Sequence, residues 1–372
     1  MALQGSCVVI PCTFTYPGRE RKQSDLTAMW HTKDHAFIYH PDIGEVLYRF
    51  RGRTSLVGDL GRKNCSLKID RVQRIDGGPF IFRLAIDDGE KFSYTKSEVS
   101  IVIKDRPDVP LLTVGEPVKV GETVSASCSV YHSCPSNPPL LSWNHVGTHS
   151  VHSEKLPGGQ WRMVSVLLFT SSVSDHKKPL TCTTKYWEGK TVRSSKALNV
   201  KYAPINVRID FESTAKEGDS VELQCSSDSN PAAHRYQWYS AAWELQSEGN
   251  TLTLHNVSRH TGAYFCTAIN TEGQGSSSPV RINVEYPPEI EVGSTCMVNS
   301  SGVTCHCIVD SVPSAEVKWL LSEGYLLSSW TETDGSVTMY TLHTTRGLFH
   351  AISCEASNIH GIVTMDFVLP RR

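Results

Sequence analysis

An all-β chain made of four tandem sandwiches is predicted by three observations. A cysteine in an alternating apolar stretch is followed 12 to 18 residues later by a tryptophan, and this pair recurs four times: Cys12 with Trp30, Cys128 with Trp143, Cys225 with Trp238 and Cys307 with Trp319. Proline ends the Val/Ile-rich stretches at 104–107, 201–204 and 285–288, where a residue without an N–H marks a joint between units. Twelve cysteines fall in spaced pairs along all 372 residues, a length that suits several units of roughly a hundred residues rather than one core.

Each repeat reads as an immunoglobulin sandwich, in which the strand B cysteine and the strand C tryptophan face one core and the indole packs on the inter-sheet disulfide. The period-2 alternation of Val99-Ser-Ile-Val-Ile103 and Ser220-Val-Glu-Leu-Gln-Cys225 is that of strands. The expected division is residues 1–104 (V-type), 105–203 (C2-type), 204–286 (C2/I-type) and 287–372 (C2-type, membrane-proximal).

The cysteines imply an oxidising compartment. Ordinary B-to-F bridges join Cys128 with Cys182, Cys225 with Cys266 and Cys307 with Cys354. In the first unit Phe82 stands where strand F carries cysteine elsewhere. Cys12 is therefore expected to pair within one sheet with Cys65, leaving Cys7 to reach Cys134 in the second unit and Cys296 to close a small loop with Cys305. Spacing alone leaves this connectivity open. Sequons at Asn64, Asn256 and Asn299 fit a secreted chain. No run of about 18 apolar residues spans a bilayer, so the expectation is the extracellular part of a single-pass plasma-membrane protein whose signal peptide and membrane span lie outside this sequence.

Charge narrows the function. With 36 Lys+Arg against 38 Asp+Glu and no dense basic run, nucleic acid is not an expected partner. Residues 1–105 carry 16 basic and 13 acidic side chains, a bias that favours an anionic ligand there. His31 and His35 share a strand face by spacing, but no third ligand follows, so no metal is expected. No nucleophile elbow, HExxH or phosphate loop is present, and neither an enzyme nor a cofactor is expected.

Strand alternation singles out one candidate. If Phe80 and Phe82 face the core, Ile81 and Arg83 face outward, and the stretch 90–95 returns beside them as strand G. A guanidinium there offers a carboxylate two parallel charge-assisted hydrogen bonds.

The motifs Gly5-Ser-Cys-Val-Val-Ile-Pro-Cys12, Gly58-Asp-Leu-Gly-Arg-Lys-Asn-Cys65, Phe80-Ile-Phe-Arg83, Lys91-Phe-Ser-Tyr94 and Ser133-Cys-Pro135 resemble the siglecs, the sialic-acid-binding immunoglobulin-like lectins. The resemblance implies that Arg83 clamps the sialic acid carboxylate. It implies further that Phe92 packs on the glycerol chain, that the backbone of Lys91 and Ser93 bonds the glycerol and N-acetyl groups, and that Tyr94 and Ile81 line the rim. The implied partners are sialylated glycans on glycoproteins or gangliosides of an opposing cell, with a homodimer through the membrane-proximal domains. Phe92 departs from the Trp or Tyr usual in that family, and the family's strand A tryptophan has no counterpart. The alternative reading is an adhesion or inhibitory receptor that binds a protein ligand without lectin activity.

Overall fold

The computed structural model describes residues 1–300, 302–322, 324–327, 330–344 and 351–369, and among these the regular structure is strands joined by short 3-10 turns. Alternation builds the strands. In Thr123–His132 the inward set Val124, Ala126, Cys128 and Val130 is buried while Thr123, Ser125 and Tyr131 face solvent.

The chain forms several tandem immunoglobulin-like sandwiches with four separate buried cores, grouped in two compact units, residues 1–201 and 202–372. In the first sandwich one sheet runs in the order Phe37–Tyr39, Leu26–Thr32, Phe80–Ile86, Lys91–Ser93, and the other in the order Val8–Ile10, Leu67–Ile69, Thr54–Leu56. Ala2–Leu3 lies parallel to Ile103–Lys104. Cys12 is bonded to Cys65, just past the end of Val8–Ile10 and just before its partner strand Leu67–Ile69 in the same sheet, so no covalent bond crosses this core. Phe82 fills the middle instead, with its ring 5.6 Å from Trp30, 5.4 Å from Phe14 and 5.4 Å from Tyr94. The Trp30 indole donates to the Cys65 carbonyl at 3.1 Å. Beneath, the buried pair Arg53 and Asp76 pins the corner before strand F, with Arg53 also donating to the carbonyls of Arg49, Asp70 and Arg71.

In the second sandwich Cys128 and Cys182 join the sheet Leu111–Val114, Thr123–His132, Trp161–Thr170, Thr148–Lys155 to the sheet Leu140–Trp143, Pro179–Lys185, Thr191–Ala197. Cys7 is bonded to Cys134 across 127 residues, and Ser133 Oγ donates to the Cys7 carbonyl at 2.8 Å.

In the second unit Cys225–Cys266 and Cys307–Cys354 lie against Trp238 and Trp319, both fully buried. Cys296 pairs with Cys305 across the hairpin Thr295–Asn299 and Gly302–Val312. The prolines at 204 and 287–288 do not end their strands. Val200–Asp210 and Asn283–Ile290 run on through them, with register shifts at Tyr202/Ile205 and Tyr286/Glu289 where the missing N–H groups fall.

Candidate functional site

The candidate site lies on the outer face of the four-stranded sheet of the first sandwich, and strand register sets what that face presents. Residues directly opposite on antiparallel strands share a face. Strand F (Phe80–Ile86) pairs with strand C (Leu26–Thr32) as Ala85 with Thr27, Arg83 with Met29 and Ile81 with His31, and with strand G (Lys91–Ser93) as Ala85 with Lys91 and Arg83 with Ser93. The outer face is therefore a grid of three rows: Thr27, Ala85, Lys91; then Met29, Arg83, Ser93; then His31 and Ile81. Arg83 is half-buried at its centre, and among the described residues its guanidinium has no acid or other hydrogen-bond partner.

Half of the sixteen cations in residues 1–105 are in ion pairs. Arg21, Lys33, Arg53, Arg62, Lys63, Lys68, Arg74 and Lys104 each meet a carboxylate. Arg83 and Lys91 do not, and they stand on one face with only the small side chains of Ala85 and Ser93 between them. The turn that positions them, Asp87-Asp88-Gly89, is tied to the B–C segment by Arg21 on Asp88 and by the Asp87 amide on the Asp25 carbonyl at 3.1 Å.

Three expected positions need correction. Phe92 pairs with Leu84, so it faces the core side of the sheet and packs half-buried against the hydrophobic cluster rather than standing beside Arg83. Tyr94, two residues on, shares that side. It stacks on Phe82, and its hydroxyl donates to the Thr15 carbonyl at 2.7 Å, while burial, and then nearby Tyr16, push its pKa up. Ile81 does lie on the Arg83 face, but at 5% exposure it is a covered floor rather than a rim. Lys91 and Ser93 are exposed, and their side chains share the Arg83 face.

His31 and His35 do not share a strand. His35 sits in a tight turn at φ 62°, closed by its amide on the Thr32 carbonyl, and its ring lies 5.4 Å from that of buried His31. Among the described residues no group of three or more His, Cys, Asp or Glu is arranged to hold a metal ion.

Comparison with known proteins relates the whole sequence to others. An immunoglobulin-domain profile matches residues 203–284. Over nearly the whole chain the sequence is similar to human sialic acid-binding Ig-like lectin 5, at 27% identity over 96% of this chain and 70% of that protein. Human myelin-associated glycoprotein is 30% identical over 88% of this chain and 54% of its own length, and the Schwann cell myelin protein of Coturnix japonica 26% identical over 98% and 60%. The chain belongs to the siglec family. This siglec chain thus spans 54 to 70% of the length of these three relatives, and no helix among its described residues is long and apolar enough to cross a membrane.

The sequons of this siglec differ in setting. Asn256 and Asn299 are exposed, whereas Asn64 is half-buried, with its Oδ1 accepting from the amide and hydroxyl of Ser66 at 3.0 and 2.6 Å. Strand parity puts Arg83 on the outer face, and the register agrees, whereas the face taken by the Lys91 side chain depends on the length of the F–G turn.

Proposed function

We propose that the first sandwich is a lectin module gripping terminal sialic acid, and that the chain is the extracellular part of a single-pass plasma-membrane adhesion receptor that reads sialylated glycoproteins or gangliosides on an opposing cell. The observation that carries this reading is the half-buried Arg83 guanidinium at the centre of the outer sheet face, with no acid or other hydrogen-bond partner among the described residues. A sialic acid carboxylate would take its planar fork in two parallel hydrogen bonds. The exposed edge of strand Lys91–Ser93 offers backbone groups to the glycerol and N-acetyl arms, with Met29 and Ile81 as the apolar floor. No chemical step is involved, so the module binds and does not turn over its ligand.

The rest of the chain acts as a spacer. The reading divides it at 104/105, 203/204 and 286/287 into one V-type and three C2- or I-type domains, with glycans at Asn64, Asn256 and Asn299 and self-association through the membrane-proximal domains. One clamp at a half-exposed site holds a single glycan weakly, so adhesion depends on many copies acting together. The expected monovalent affinity is micromolar or weaker.

The test is adhesion of cells displaying the chain to cells before and after sialidase, with Arg83→Ala in parallel. Sialidase and the substitution should each abolish adhesion, and R83A should still unfold at the parental temperature. Adhesion that survives both treatments would transfer the function to a protein ligand on another face.

A further inference from the structure

We infer that the second sandwich carries a docking edge for another copy of this chain: the free side of strand Thr148–Lys155, which pairs with its counterpart about a two-fold axis through Val151. The inference stands apart from the lectin reading and concerns a different sandwich.

Thr148–Lys155 is the outermost strand of its sheet, paired with Trp161–Thr170 on one side and with no strand on the other. All eight of its residues are exposed, and its register with Trp161–Thr170 has no bulge. Half of its backbone N–H and C=O groups therefore point outward along an unbroken edge. Protected edges are short, bulged, covered, or interrupted by proline or charge. Here Thr148–Ser153 carry no proline, lysine, arginine or carboxylate, and the two charged residues, Glu154 and Lys155, come last. Among the described residues the other edge strand of eight residues, Gly361–Val368, is packed against Asn283–Ile290. The sequons at Asn64, Asn256 and Asn299 all fall outside residues 105–203, so no N-glycan is attached to the sandwich that presents this edge.

The edge fits its own copy. Antiparallel pairing about Val151 sets Thr148 opposite Glu154 of the second copy, His149 opposite Ser153 and Ser150 opposite His152, each pair sharing a face. No like charges meet, half-exposed Val151 covers its counterpart, and Lys155 stays outside the paired stretch. The neighbouring registers that keep the faces either shorten the pairing to Thr148–His152 or set His149 against Lys155. Such a contact is isologous and closes at two copies. Its direction follows from the sheet. Lys155 pairs with Trp161, and Trp161 with His132, close to Cys134 and its bond to the first sandwich. Antiparallel pairing therefore turns one copy end for end, with the two first sandwiches at opposite ends, which suits copies carried by opposing surfaces. Pairing of residues 148–154 adds about one backbone bond per residue, a small contact that works through many copies together.

The test uses the whole chain after sialidase treatment, so that lectin binding to its own glycans contributes nothing. Sedimentation is followed from about 10 µM to about 1 mM for the parent, Val151→Lys, Val151→Glu and an equal mixture of the two variants. The parent should associate as concentration rises. Each variant alone should associate about tenfold or more weakly, because like charges meet on the axis, while unfolding at the parental temperature. The mixture should recover association, because the introduced lysine then faces the introduced glutamate. A parent that stays monomeric throughout overturns the docking edge, and so does association that both variants retain. Loss in each variant without recovery in the mixture overturns the pairing of copies through Val151.

Discussion

His132 is 9% exposed, and neither of its ring nitrogens has a hydrogen-bond partner among the described residues. It lines a cavity between the first and second sandwiches together with Lys104, Arg106, Asp108 and Tyr186. Burial lowers its pKa, the nearby Cys134 backbone opposing part of the shift. Lys104 and Arg106 line the same cavity, and its Asp108 is already engaged by Lys104 at 2.7 Å. The sign follows. Because the folded-state pKa lies below that of the unfolded chain, the unfolded state takes up the proton first, and the stabilisation present above about pH 6.5 is lost as pH falls below that value. Thermal unfolding of the whole chain should therefore move to lower temperature between pH 7.5 and 5.5, with a part of that slope removed in His132→Gln. An identical slope in the variant would count against His132 as its source.

The F–G hairpin shows what was legible and why the rest was not. Alternation along Phe80-Ile81-Phe82-Arg83 placed Arg83 on the outer face without help from tertiary contacts, because period-2 geometry is local. Which face strand G presents depends instead on how many residues the turn consumes. Here the Ile86 amide bonds the Glu90 carbonyl at 2.9 Å around Asp87-Asp88-Gly89, and Gly89 takes φ 98°, a conformation glycine adopts at little cost. Three turn residues pair 84 with 92. One residue more or fewer would have put Phe92 outside, and the resemblance alone carried no such count. Ile81 failed for another reason: strand parity gives the face but not the cover, and neighbours on adjacent strands bury it. The four repeats were readable at the outset because each Cys–Trp pair serves a core. Their prolines misled about strand ends, since bulges let the chain pass through them. Phe92→Ala should accordingly act on stability first. Loss of a half-buried ring should cost about 1–2 kcal/mol, less than the 3–5 of a fully buried phenylalanine, read by chemical denaturation. The weakening of sialoside binding should be smaller than that caused by Arg83→Ala. A variant with unchanged stability but no binding would return Phe92 to the outer face.

On the scale of the molecule, the two units hold their joints by different means. In the first unit the joint is covalent, through Cys7–Cys134. In the second it is polar and built from a repeated device. Tyr202 donates to Asp228 at 2.7 Å, and Asn270 caps the Tyr202 and Pro231 carbonyls at 2.8 Å each. Tyr286, Asp310, Asn358 and Pro313 reproduce the arrangement where the third core meets the fourth, at 2.7, 2.9 and 3.0 Å. To this second copy Arg259 is added. Its side chain is 16% exposed and meets Glu217 of its own sandwich at 3.0 Å, Glu289 at 3.0 Å and Asp310 at 3.3 Å, with its guanidinium carbon 3.8 Å from the Tyr286 ring centroid. The hydrogen bond from Arg259 is the main cause holding Glu217 below the usual carboxylate range. One planar fork shared among three acids and a ring cannot be copied by an ammonium group. Removing it would strand Asp310 and Glu289 beside each other on paired strands. Charged hydrogen bonds of this kind contribute on the order of 2–3 kcal/mol, which corresponds to roughly thirty- to hundredfold in an opening equilibrium at 1.4 kcal/mol per factor of ten. Hydrogen exchange of the joint strand Asn283–Ile290 should therefore accelerate by about that factor in Arg259→Ala, with Arg259→Lys in between, while peptides from the core strand Val221–Asn230 keep the parental rate. Equal protection of the joint strand in all three proteins would mean that the Tyr–Asp–Asn device holds it alone.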